Sequence, residues 1–180
     1  GPLAACTVKE SQEITLSELP VSLNISPISH QPNVLKLCTG STVDFLAETS
    51  LEGNQSFQWF RNDVAIGGAT QSQVTNISQA GLYKYQVSVG LCQNLTSGVV
   101  EVQLVAGSGS APSISLTSGT LNTCPGSTAT LSISNCTGTT IWSNQVVGST
   151  LDVIQLNSPQ TYSAYCLNTC MYKSNNSLTF

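Results

Sequence analysis

Seven cysteines are the residues of this sequence best placed to do chemistry, since they could bond to one another or hold a metal. A structural zinc site needs closely spaced cysteine pairs, usually completed by histidine. Here the nearest pair is Cys166 and Cys170, and the single histidine, His30, stands in a Pro/Ser/Gln stretch. The spacing therefore favours disulfides over a metal, and it predicts an oxidising compartment and no cofactor.

Groups that could act together in catalysis do not gather anywhere in the sequence. A Ser/His/Asp triad would have to be built on His30 alone, and the sequence has no G-x-S-x-G elbow. The carboxylates, among them Asp44, Asp63 and Asp152, are too scattered to suggest an acid/base pair. We therefore predict that the protein is not an enzyme.

The composition also excludes several kinds of partner. Charged residues make up 8% of the chain and the formal net charge is -4, so a basic footprint for nucleic acid is absent. No apolar run approaches the roughly 20 residues of a membrane span. Residues 1–3 are typical of the remnant left by cleavage of a purification tag.

One cysteine motif is written twice. It reads Cys38-Thr39-Gly40-Ser41-Thr42 in the first copy and Cys124-Pro125-Gly126-Ser127-Thr128 in the second. Each copy is followed by a tryptophan, a tyrosine and a closing cysteine, which are Trp59, Tyr83 and Cys92, then Trp142, Tyr162 and Cys170. The repetition predicts two copies of one small disulfide-closed domain.

Alternating apolar residues predict that these domains are built from strands. Val43, Phe45 and Ala47 share one face of a strand, and Ala129, Leu131 and Ile133 do the same in the second copy. Many short β-prone runs separated by turn residues favour antiparallel sandwiches.

The repeated aromatic residues have structural places in such a sandwich. Trp59 and Trp142 fit the core tryptophan of an immunoglobulin-like domain, and Tyr83 fits its tyrosine corner, with Tyr162 as counterpart. We therefore predict an all-β chain of two tandem immunoglobulin-like antiparallel β-sandwiches, closed by disulfides.

The segment 106–112, rich in Gly and Ser, is predicted to be a flexible linker. It separates domain one, residues 20–105, from domain two, residues 113–180. Residues 4–19 resemble the stretch that begins at Leu91, so they are either the last strand of a preceding repeat or an extra N-terminal strand. In both interpretations Cys6 has no partner, which accounts for the odd cysteine count.

The order of cysteines and strands predicts three bridges. Cys38 comes just before one predicted strand and Cys92 just after a later one, and this position predicts that they pair. Because the motif is repeated, Cys124 is predicted to pair with Cys170 in the same way. Cys136 is paired with Cys166, near the ends of the corresponding strands of domain two.

A family resemblance adds to this interpretation. The sequence from Cys124 through Asn135-Cys136-Thr137-Gly138 to Cys170 resembles the Ig-like repeats of large Bacteroidetes surface proteins, which include gliding and adhesion proteins exported by the type IX system. The stretch from Phe57 to Thr70 is similar to a part of the same repeats. The resemblance implies an extracellular or cell-surface location and a non-catalytic role.

The favoured function is a spacer or adhesive module in a longer array, whose partners are neighbouring repeats and a surface glycan or protein. The alternative is an accessory carbohydrate-binding module of a secreted polysaccharide-degrading enzyme. A eukaryotic Ig receptor fragment is disfavoured, because domain one lacks the usual mid-strand bridge. The predicted ligand contacts are Arg61, Asn62 and Asp63, because loops carry recognition.

Overall fold

The structure, a computed structural model, describes residues 23–26, 33–90, 94–107, 109–120 and 124–180. All regular elements in these ranges are strands. Among the described residues no helix is long and apolar enough to cross a membrane.

The strands divide into two units that follow one another along the chain. The first unit contains β1 (Leu23–Ser26), β2 (Val34–Cys38), β3 (Val43–Thr49), β4 (Gln55–Arg61), β5 (Val64–Ala65), β6 (Gln73–Ile77), β7 (Gly81–Val89), β8 (Leu95–Thr96) and β9 (Val100–Val105). The second contains β10 (Ser113–Ser118), β11 (Thr128–Ser134), β12 (Thr139–Trp142), β13 (Thr150–Ile154), β14 (Thr161–Tyr162), β15 (Ala164–Leu167), β16 (Met171–Lys173) and β17 (Leu178–Thr179).

Each unit consists of two facing groups of strands. In the first unit β1, β3 and β6 form one antiparallel sheet, and β2, β9, β7, β4 and β5 form the other, with β8 also beside β7. In the second unit β10, β11 and β13 pair, as do β12, β15 and β16. These are immunoglobulin-like sandwiches, which confirms the predicted all-β fold class.

The two units share a sheet. Strand β16 lies parallel to β2, with Met171 opposite Leu37. This pairing joins the two larger strand groups into one nine-stranded sheet that runs through both units.

Aromatic residues fill the core of the first unit. Trp59 is fully buried, and its ring lies 6.2 Å from that of Phe45 and 5.2 Å from that of Tyr85. Its indole N–H donates to the carbonyl of Gln71 at 3.0 Å, so its one polar group is satisfied. The Tyr83 hydroxyl donates to the carbonyl of Gln79 at 2.9 Å, which is the hydrogen bond of a tyrosine corner.

The second unit has a smaller core around Trp142. This tryptophan is also fully buried, and its N–H donates to the Gly148 carbonyl at 2.9 Å. The ring of Tyr162 packs edge to face against Phe180, with centroids 6.0 Å apart.

The disulfides differ from the predicted set. Cys136 is bonded to Cys166, with Cα atoms 5.6 Å apart. Cys38 is bonded to Cys170, with Cα atoms 5.1 Å apart, so the predicted Cys38–Cys92 and Cys124–Cys170 pairs are both wrong. Cys124 is an exposed free thiol. Cys6 and Cys92 lie outside the described residues.

Strand direction explains both errors. Cys38 pairs with Val105, and Val102 of the same strand pairs with Gly81, so Cys38 lies near the start of β7. In sequence, Cys92 comes after the end of β7. The nine residues of β7 separate those two ends by about 30 Å. The second unit repeats this arrangement, because Cys124 precedes β11 and Cys170 follows β15. In each sandwich the start of the one strand and the end of the other thus lie at opposite ends.

Removing the bridge between the units should cost more stability than removing the bridge within the second unit. The chain-entropy model gives about 5 kcal/mol for closing the 132-residue separation of Cys38 and Cys170. It gives about 3.6 kcal/mol for the 30-residue separation of Cys136 and Cys166. Urea unfolding measures the loss in the free energy of unfolding for two double variants, Cys38→Ala/Cys170→Ala and Cys136→Ala/Cys166→Ala. A non-reducing peptide map of the wild-type protein that joined Cys38 to Cys92 would contradict the assignment.

Candidate functional site

The residues predicted to contact a ligand form a tight hairpin turn. Arg61 and Val64 pair across β4 and β5, which leaves Asn62 and Asp63 as the two turn residues. Their φ angles are 49° and 65°, the left-handed conformation that a type I′ turn requires at both positions. Asn and Asp tolerate this conformation, so turn geometry alone accounts for their presence.

Neighbouring residues hold this turn in place. The Arg61 Nε donates to the carbonyl of Ala80 at 3.0 Å, and Asn62 Oδ1 accepts from the Leu82 N–H at 2.9 Å. Asp63 forms a 2.5 Å ion pair with Lys84. All three predicted contact residues thus have structural partners at the start of β7, and their role in ligand binding stays a prediction.

An open groove of about 560 Å³ lies beside the turn. Arg61, Asn62 and Tyr83 line it together with residues of β6. The Arg61 guanidinium also bonds to Gln79, and the Tyr83 hydroxyl is occupied by the Gln79 carbonyl. Two of the polar side chains at the groove, Arg61 and Tyr83, are thus bonded within the protein.

No group of three or more His, Cys, Asp or Glu side chains that could hold a metal occurs in the part of the chain that the structure describes. Of the carboxylates considered above, Asp44, Asp63 and Asp152 each bond to a neighbouring side chain. His30 lies outside the described residues.

The densest set of buried polar contacts is at the junction between the units. Both sulfurs of the Cys38–Cys170 bridge belong to buried residues. Next to it, the Lys173 N–H donates to Ser41 Oγ at 2.9 Å. A Cβ added to Gly107 would lie 2.7 Å from the Cys170 sulfur, so the segment after β9 packs directly against the bridge. The boundary predicted at 106–112 is thus closely packed at this glycine.

Asp44 is the centre of the junction and links three strands. Its Oδ2 forms a 2.5 Å ion pair with Lys173, and the two side chains are only 13% and 19% exposed. Its Oδ1 accepts from the Asn76 N–H at 2.9 Å, and its own N–H donates to the Tyr165 hydroxyl at 3.2 Å. Asp44 therefore has both a charge partner and hydrogen bonds, which a buried carboxylate requires.

Apolar residues of the second unit complete the first unit's core. Ile141, Tyr165 and Met171 are buried in the same cluster as Trp59. Their chain neighbours point the other way, since Trp142 and Ala164 belong to the second core. Strands β12 and β15 are thus buried on both faces, which the unbroken apolar run from Ala164 to Leu167 could have indicated.

Two buried tyrosines titrate late because of these surroundings. Burial is the main cause that raises the pKa of Tyr165, and the negative charge of Asp44 raises it further. Burial, assisted by Glu48, raises the pKa of Tyr85 to about 12. Both hydroxyls therefore stay protonated in the folded protein well above pH 10.

Comparison with known proteins gives similarity to solved structures only. No family model and no curated protein matches the chain. The fibronectin(III)-like modules of Clostridium thermocellum CbhA are 15% identical, with a TM-score of 0.38 over 89% of this chain and 92% of that one. A Bacteroides ovatus mixed-linkage glucan utilization protein, SGBP-B, solved with a mixed-linkage heptasaccharide, is 12% identical, with a TM-score of 0.36 over 91% of this chain and 47% of that one. The amphioxus IgVJ-C2 molecule is 16% identical, with a TM-score of 0.29 over 81% of this chain and 98% of that one.

Breaking the Asp44–Lys173 ion pair of the junction should lower the free energy of unfolding far more than breaking the Asp63–Lys84 ion pair of the turn. Asp44→Asn leaves the Lys173 charge buried without its partner, which should lower the free energy of unfolding by about 3 kcal/mol. Asp63→Asn removes a carboxylate that is 80% exposed, so its cost should stay below about 1 kcal/mol. Chemical denaturation of both variants measures the difference. Equal losses would show that Asp44 does not hold the junction.

The tyrosines should make the protein less stable in strong alkali. A hydroxyl whose pKa is higher in the folded state than in the unfolded chain stabilises the fold below pH 10, and this contribution is lost as the pH rises toward 12. In a Cys124→Ser background, which removes thiol exchange at Cys124, the free energy of unfolding should fall between pH 10 and 12. Tyr85→Phe should flatten that fall. An unchanged slope would mean that Tyr85 titrates as it does in the unfolded chain.

Proposed function

We propose that this chain is a non-catalytic tandem module of an extracellular, adhesin-type protein, and that it serves as a spacer of fixed length. One observation carries the proposal, namely the covalent and buried junction between its two units. A spacer has to hold its two ends apart under load, and two sandwiches on a loose linker would not do so.

The Cys38–Cys170 bridge provides a direct path for mechanical force. A pull on the two ends passes along β2, through the disulfide and out through β16, because the bridge joins residues 132 positions apart in sequence at a Cα distance of 5.1 Å. Most of both sandwiches lies between the bridged cysteines and carries no tension. These residues cannot be drawn out while the bridge is intact.

Non-covalent contacts stiffen the same point. The shared sheet limits bending between β2 and β16, and the Asp44–Lys173 pair bonds β16 to β3 in the other sheet of the first unit. Outside the junction core, Gln145 of the second unit bonds to Glu48 of the first. Rotation of one unit against the other would expose Tyr165 and Met171 to water, which costs free energy in proportion to the apolar area exposed.

The disulfides support the proposed extracellular location. Buried structural bridges form and persist in oxidising compartments, which fits an extracellular or surface protein. The neighbouring partners that we propose are further units of the same array. A glycan or protein ligand remains a proposal that no contact in the described residues favours.

The tryptophans do not support the alternative, a carbohydrate-binding module. Both tryptophans of the chain are fully buried, so neither presents a ring to a sugar. The open groove beside the turn is lined by only one aromatic residue, Tyr83, which is itself buried.

Single-molecule force spectroscopy tests the spacer function. With handles at its two ends, the oxidised protein should lengthen only through residues before Cys38 and after Cys170. Addition of a reductant should release the bridged stretch, about 450 Å for a separation of 132 residues at roughly 3.4 Å each. Cys38→Ala/Cys170→Ala should release most of that length without reductant, short of the loop that Cys136–Cys166 still closes. An oxidised wild-type protein that extends as far as the variant would contradict the proposed function.

A further inference from the structure

The repeated cysteine motif forms the same turn in both units. The Ser41 N–H donates to the Cys38 carbonyl at 2.9 Å, and the Ser127 N–H donates to the Cys124 carbonyl at 3.1 Å. The glycines of the two turns, Gly40 and Gly126, have φ angles of 86° and 90°. Each turn leads directly into a strand of the smaller sheet, β3 or β11. We refer to these as the first and second cysteine turns, residues 38–41 and 124–127.

The first cysteine turn holds a β-hairpin of the unit that follows it. Cys170, which lies between β15 and β16, bonds to Cys38, and Ser41 Oγ accepts the Lys173 N–H. The neighbouring residue Leu37 pairs with Met171. The turn therefore acts as a docking site whose occupant is a hairpin that carries a cysteine.

The second cysteine turn has the same internal hydrogen bond and the same glycine conformation, but its cysteine is exposed and free. It lies at the end of the second unit that is remote from the junction. The Cys136–Cys166 bridge places the end of β11 beside β15 and its hairpin, and the seven residues of β11 then put Cys124 about 20 Å or more from that end. The first unit therefore leaves this turn uncovered.

We propose that the second cysteine turn is a docking site for the cysteine-bearing hairpin of another Ig-like unit, and that Cys124 forms a disulfide with it. The first turn shows the mode of binding within this same molecule. Repetition of that junction would bond successive units head to tail, each turn to the hairpin of the next unit. The inference extends the proposed spacer function and rests on it for its purpose.

A second copy of the chain supplies such a hairpin by sequence order. Cys92 follows β7, which pairs with the strand of Trp59, as Cys170 follows β15, which pairs with the strand of Trp142. Cys92 itself lies outside the described residues, so its assignment rests on this order alone. Its pairing with the cysteine turn of a preceding unit would follow the same rule.

The charged pair of the first junction would be missing from the second on both sides. Thr130 stands where Asp44 stands in the first motif, and Leu95 comes three residues after Cys92 as Lys173 comes three after Cys170. Thr130 donates instead to Asp152 of its own unit at 2.8 Å. Because both charges are replaced together, the second junction would leave no buried charge without a partner.

Bond formation needs an oxidant, for which a small-molecule disulfide such as oxidised glutathione suffices. The Cys124 thiolate attacks one glutathione sulfur and releases one glutathione thiolate. The hairpin thiolate then attacks the Cys124 sulfur of this mixed disulfide and releases the second. Two protein thiols are thus oxidised to one disulfide as one oxidised glutathione is reduced to two thiols.

The experiment uses the full chain as its own partner, at high concentration in a glutathione redox buffer. We expect a ladder of dimers and larger species in non-reducing electrophoresis that collapses on reduction. Mass spectrometry of the ladder should find Cys124 joined to the peptide that contains Cys92. Cys124→Ser and Cys92→Ser should each abolish the ladder, and Cys6→Ser should leave it intact.

A displaced thiol provides the matched control. Cys124→Ser/Ser149→Cys carries an exposed thiol on the same unit but at the opposite end of β11, where the Ser149 carbonyl accepts from Ile133, so it should form no ladder. The proposal is overturned if this control forms the ladder as well, if Cys124 is joined only to another Cys124 or to Cys6, or if it carries only glutathione. Any of these results would leave the force response of the Cys38–Cys170 bridge, and with it the spacer function, unaffected.

Discussion

The bridge between Cys38 and Cys170 is the constraint on which the rest of the structure depends. It brings together the end of β2 in one sandwich and the start of β16 in the other, so that the two strands pair and the larger sheets become continuous. Once the strands are paired, the outer face of β12 and β15 has to be apolar, since it covers the first unit's core. The second unit therefore forms its own sandwich and also covers part of the first unit's core.

That burial also decides what the polar groups of the junction must do. Asp44 and Lys173 are removed from most of the solvent, and each would be costly to leave alone. The carboxylate meets this cost with two partners, the ammonium of Lys173 and the backbone N–H of Asn76 in the neighbouring strand β6. A buried ion pair of this kind contributes little net stability against an apolar replacement, but it fixes the position of β16 against β3, because a shift of one against the other would leave both charges unpaired.

In the part of the chain that the structure describes, the tryptophans and the residues of the Arg61–Asp63 turn have structural partners. The tryptophans fill the two cores, and the turn at Arg61–Asp63 is bonded to the strand beside it. The exposed thiol of Cys124 is the exception, because it stands in a turn whose twin is bonded across the junction. A repeated local structure with one copy occupied and one copy open distinguishes a docking position from an ordinary surface turn.

The sequence by itself determined the features that depend on local pattern. Period-two alternation predicted the strands, and the repeated order of cysteine, tryptophan and tyrosine predicted two sandwiches of one type. It could not determine which cysteines meet. Cys38 and Cys92 flank one sandwich in sequence, but the end of β2 and the end of β7 lie at opposite ends of that sandwich. Only the tertiary structure, which sets one unit against the next, brought Cys170 to Cys38 and Lys173 to Asp44, because contacts between units depend on strand direction and stacking rather than on distance along the chain.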